Sequence, residues 1–108
     1  MNSESLALEF KIKQAKNEFI DGTGLINQGF KMYEETLDYQ NRNNIDDRNV
    51  GEMHKINSIK EYSKNLIRVG SSRQHIANLE VGMYCRQLRN IGDENIFNSV
   101  CNNVCEKN

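Results

Sequence analysis

Apolar side chains recur at helical spacing in five stretches of this 108-residue chain. In the first, Leu8, Ile12, Ala15 and Phe19 follow one another at spacings of four, three and four, which predicts a helix over 3–21. The shorter alternation Leu6, Leu8, Phe10, Ile12 would suit a half-buried strand, but continuation of the helical period to Phe19 selects helix. Asp21-Gly22-Thr23-Gly24 then reads as a C-cap, where glycine can take the left-handed conformation. A second stripe of Ile26, Phe30, Tyr33 and Leu37, with Glu34, Glu35 and Asp38 off it, predicts a helix over 24–41.

The polar run from Asn41 to Arg48 interrupts the period, and Asn49-Val50-Gly51-Glu52 matches a capping box in which the Asn side chain accepts from a first-turn amide and the Glu reaches back. Ile56, Ile59, Tyr62, Leu66 and Val69 give the helix that starts there, 50–69, a wide apolar face. After Gly70 a second capping box, Ser71 with Gln74, opens a helix over 72–91 carrying Ala77, Val81, Tyr84, Leu88 and Ile91. Gly92 ends it, and Asp93 caps a last helix over 94–105 with Ile96, Phe97, Val100, Cys101, Val104 and Cys105 on one stripe.

These elements predict an all-α fold, a small bundle of four to five helices with antiparallel neighbours, in a single helical domain over 1–108. A chain this short supports one core. Proline is absent, so no residue removes a helical amide donor, and long uninterrupted helices are permitted. The joint at 41–49 is left open: it is a loop, a hinge, or a continuation that fuses its flanking helices into one rod, and a rod would favour a dimer.

Composition narrows the class. Hydrophobic residues make up 37% and charged residues 27% of the chain, and a mean hydropathy of -0.75 implies a thin core or a partner. No stretch approaches a membrane span, and Met1-Asn2-Ser3-Glu4 lacks the basic and apolar regions of a signal peptide, so no membrane contact is expected. Three cysteines fit no closed disulfide framework and point to free thiols in a reducing, cytoplasmic setting. Asparagine occupies 16 positions, an excess that an AT-rich genome such as a phage or mobile element would encode.

Candidate chemistry is sparse. Gly29, Tyr33 and Thr36 lie 34 residues before Ser63, Ile67 and Gly70, as in a tetratricopeptide repeat, but the Trp-Leu-Gly start and closing proline are missing and plain helical periodicity explains the match. The Asp46–Glu52 loop has a glycine where a calcium loop would, yet Arg48, Val50 and Asn57 stand where oxygen ligands belong. Cys101 and Cys105 share a helix face and Cys85 with His54 or His75 could complete a zinc set, but the spacing fits no zinc knuckle and the thiols sit in apolar stripes. With no phosphate loop, glycine-flanked nucleophile or oriented histidine, we read no catalytic residue, no metal site and no cofactor, and expect a protein that is not an enzyme.

Charge is the one asymmetry. Residues 1–52 hold 10 acids and 6 bases, residues 53–92 hold 2 acids and 7 bases, and residues 93–108 hold 3 acids and 1 base. In the basic middle, Lys60, Lys64 and Arg68 follow at spacings of four, with Arg73 beyond them. His75, Asn78, Gly82, Arg86 and Arg89 fall opposite the Ala77–Ile91 stripe, and Gly82 in mid-helix suggests close approach of a partner. These nine residues form the candidate binding face. The segment from Ile76 to Ile91 also resembles a helix-turn-helix, with Ala77, Val81, Gly82, Met83, Leu88 and Ile91 on its apolar and glycine positions and Asn78 where a small residue belongs.

The expected function is a helical interaction or regulatory protein that docks on another macromolecule, most readily a protein, without chemistry of its own. An acidic first half facing a basic middle across a two-fold axis would make a homodimer. The alternatives are nucleic-acid binding through the basic face and an assembly or secretion adaptor that receives a partner's helix.

Overall fold

A computed structural model describes residues 3–102, in which α1 spans Ser3–Arg42, α2 spans Val50–Ile91 and α3 spans Glu94–Cys101, with no strand among the described residues. The all-α expectation is met. The predicted element count is corrected, because 3–21 with 24–41 forms one helix of 40 residues and 50–69 with 72–91 forms another of 42. Each is about 60 Å long at the α-helical rise. The two stretches read as breaks, Gly22-Thr23-Gly24 and Gly70-Ser71-Ser72, are helical. Without proline nothing forces a break there, and a helical glycine costs only about 1 kcal/mol. The Ser71–Gln74 capping box therefore has no helix start to cap.

The open joint is a loop. Past Arg42, Asn43 and Ile45 donate their amides to the Tyr39 and Gln40 carbonyls, both at 3.1 Å. Asn44 takes a φ of 50°, the left-handed residue that ends the helix. In the loop Asp46 accepts from the Arg48 guanidinium and amide, at 2.9 Å each, which holds its carboxyl below the usual range. Asn49 does not cap as predicted: its side-chain oxygen accepts from the Asp46 amide at 3.3 Å, tying the loop to itself, while α2 starts at Val50 as expected. The second turn is as predicted, with Gly92 at a φ of 87° and Asp93 Oδ1 accepting from the Ile96 amide at 3.4 Å. Of the expected last helix, Val104 and Cys105 lie outside the described residues.

Two packing units divide the chain, Gly22–Ser72 and the remainder, of which 3–21 and 73–102 are described. In the latter unit the predicted stripes form the core: Leu8, Ile12 and Ala15 of α1, Val81, Cys85 and Leu88 of α2, and Ile96, Val100 and Cys101 of α3 are all buried in one cluster. Lys16 Nζ donates to the Val100 carbonyl at 2.5 Å, placing a cation at the C-terminal end of α3. The expectation of free thiols is corrected here, since Cys85 and Cys101 form a disulfide across fully buried positions and tie α3 to α2. Neither is left as a zinc ligand.

The Gly22–Ser72 unit is an antiparallel pair made by the second half of α1 and the first half of α2. Here the predicted stripe is displaced. Of Ile56, Ile59, Tyr62, Leu66 and Val69, Ile56 alone is buried, and Phe30 on α1 is 53% exposed. The buried positions are small instead: Gly22, Gly29 and Thr36 on α1, Ser63 and Gly70 on α2.

Candidate interaction surfaces

Small residues at the seam set the geometry of the Gly22–Ser72 pair. A Cβ added at Gly29 would lie 2.7 Å from the Ser63 carbonyl oxygen, and one at Gly70 would lie 2.5 Å from that of Gly22. The helix backbones therefore meet closely at two levels. The hydroxyls between them are satisfied on their own helices, Thr36 donating to the Met32 carbonyl at 2.7 Å and Ser63 to that of Ile59 at 2.8 Å. Such a seam has little room for large side chains: Ile56 is buried and Ile26 and Ile67 pack over Gly70 and Gly29, while the other large residues near it stand on the two flanks.

The flanks differ. On one, Ile26, Tyr33 and Leu37 of α1 and Met53 and Ile67 of α2 are half-buried, and Lys60 reaches across to the Gln40 Oε1 at 2.9 Å. On the other, a groove of about 480 Å³ is lined by Met32, Glu35, Thr36 and Tyr39 of α1 and by Glu52, Lys55, Ile56 and Ile59 of α2. Helical spacing carries this flank on through Tyr62, Leu66 and Val69. Tyr39 is 50% exposed, Ile59 42%, Tyr62 56% and Val69 46%. It is an open apolar face.

The nine residues of the basic face fare unevenly. Lys60, Lys64 and Arg68 belong to the Gly22–Ser72 unit and the other six to the second unit, although all nine ride on α2. Lys60 is committed to Gln40, whereas Lys64 is exposed and Arg68 donates to its neighbour Asn65, at 2.8 Å. In the second unit Arg73 shares a shallow cleft with Glu18 and Ile76, and Arg89 lies 5.0 Å over the Phe97 ring. His75, Asn78 and Arg86 are exposed. The nearest atom to a Cβ at Gly82 would be the Arg86 guanidinium at 3.7 Å, so among the described residues no neighbouring element needs that glycine. Lys64, Arg68, Arg73, Arg86 and Arg89 make no ion pair with a carboxylate among the described residues.

The helix-turn-helix resemblance is not realised, because α2 passes through Gly82 without a turn. The 34-residue match of Gly29 with Ser63 is a contact across the seam rather than a repeat. No group of His, Cys, Asp and Glu among the described residues could hold a metal ion, and no helix there is long and apolar enough to cross a membrane.

The open face was missed in the sequence, where Ile59, Tyr62 and Val69 stand in the predicted core stripe. Two signals were present: Leu25, Met32 and Tyr39 recur every seven residues outside the α1 stripe, and Gly22, Gly29 and Thr36 recur at the same spacing beside it. Neither a family model, nor a curated protein, nor a solved structure matches the chain.

Proposed function

We propose that the chain is a helical interaction protein that acts by docking another protein on the open face of the Gly22–Ser72 unit rather than by chemistry. One observation carries this reading. Among its hydrophobic residues the unit fully buries Ile56, while Tyr39, Ile59, Tyr62 and Val69 stay half in solvent. Exposed apolar side chains scattered singly are ordinary, but a contiguous set on one flank of a helix pair marks a contact surface. The test is capture from the native host with tagged protein and with a Tyr62→Glu/Val69→Glu variant of equal helicity. A partner held by the first and lost by the second supports docking; capture unaffected by the substitutions, or none in either self or foreign form, removes it.

Lys64, Arg68, Arg73, Arg86 and Arg89 of α2, which pair with no carboxylate among the described residues, favour nucleic acid as a second reading. It requires an affinity that falls with salt at a log-log slope of about -0.9 per phosphate contact. Retardation of neither duplex nor single-stranded probes at low salt excludes it.

The Cys85–Cys101 bridge supports an oxidising compartment in place of the cytoplasm expected from the odd cysteine count. Thiol labelling of the protein in its native cell checks this: Cys85 and Cys101 resist labelling until a reductant is added, and immediate labelling of both returns the chain to a reducing compartment.

A further inference from the structure

We propose that the open face of the Gly22–Ser72 unit is covered by the same face of a second copy of the chain, so that two helix pairs close one four-helix core. This rests on the docking reading above and names its occupant.

The first argument is what the pair lacks. Two helices whose seam is glycine, serine and threonine gain close backbone contact but little apolar burial, and an isolated helix pair with one buried hydrophobic residue has almost no core. A second pair laid on the open flank supplies it. The other flank has less to gain, since Ile26, Tyr33, Leu37, Met53 and Ile67 there are already half-buried and its exposed apolar side chains are Phe30 and, at the start of α2, Val50.

The second argument is size. The helical stretches 22–42 and 50–72 make a face roughly 30 Å long and about 20 Å wide, on the order of 600 Å² before surface relief is counted. That approaches the ~800 Å² per partner of a standard specific interface. A small ligand would leave most of it open.

Charge supplies the third argument and the orientation. On the open face the groove is lined by Glu35 of α1 and by Lys55, beside Glu52, of α2. A two-fold axis parallel to the helices places α1 of one copy over α2 of the other, as a self-complementary interface demands. Glu35 of each copy then faces Lys55 of the other. A partner of uniform charge would satisfy one of these side chains and oppose the other.

Sedimentation equilibrium of the full chain tests this. The wild-type protein is expected at twice its 12.5 kDa chain mass at micromolar concentration. Tyr62→Glu/Val69→Glu, with two carboxylates in the apolar contact, should raise the dissociation constant by about 100-fold or more. Phe30→Glu, on the other flank, should leave it within about threefold. All three positions are exposed in the chain itself, so helicity by circular dichroism should be retained. A dimer that the double substitution does not weaken, or that Phe30→Glu dissolves, overturns the proposal. So does a wild-type monomer at every concentration; face-dependent capture of a foreign protein by that monomer would leave the docking reading standing, and its absence would remove both.

Discussion

At the residue scale the glycines divide by what lies opposite them. Gly29 and Gly70 face backbone carbonyls at distances no Cβ can occupy, whereas nothing lies within 4 Å of a Cβ at Gly24. Gly29→Ala and Gly70→Ala should therefore each destabilise the protein by about 2 kcal/mol, because the helix backbones must move apart. Gly24→Ala should stabilise it by about 0.5–1 kcal/mol, the ordinary gain of removing a helical glycine. Urea titrations of the three variants check this, and a Gly70→Ala chain as stable as the wild type would refute the close seam. The same division explains why the sequence misleads here. Gly-Thr-Gly at 22–24 and Gly70-Ser-Ser have the composition of turns, and composition cannot distinguish a glycine that bends the chain from one that lets another helix approach.

At the scale of elements, α3 is the clearest case of a helix legible from its residues. The Ile96, Phe97, Val100 and Cys101 part of its stripe, the Gly92 stop and the Asp93 cap are readable in the sequence and are found. Asp93→Ala, which leaves the Ile96 amide without its acceptor, should cost about 1 kcal/mol. The bridge that holds α3 was not legible, because a count of three cysteines says nothing of which two converge, and Cys85 and Cys101 come from different helices. With its ends 16 positions apart the bridge restricts the unfolded chain, and reduction should lower stability by about 3 kcal/mol. Thermal unfolding with and without reductant measures this, and an unchanged midpoint would mean that packing of Ile96 and Val100 alone fixes α3.

At the scale of the whole molecule, the sequence conveyed the helical class and the buried cluster of one unit, because large apolar residues at 3.6-residue spacing both form that core and advertise it. It did not convey the other unit, whose seam is built mostly from small residues that carry no apolar signal and whose Ile59, Tyr62 and Val69 are left on an open flank. The candidate basic face was legible as charge but not as geometry, since Lys60 turns to Gln40 and Arg89 to Phe97. The close seam beneath the docking surface depends on the helices continuing through their glycines, because a turn at 22–24 or 70–72 would take the Gly70 backbone away from the Gly22 carbonyl. Hydrogen exchange across the full chain tests that continuity most directly. Amides at 22–24 and 70–72 should exchange as slowly as those of the flanking helical residues; exchange there at the rate of the 43–49 loop would contradict the account.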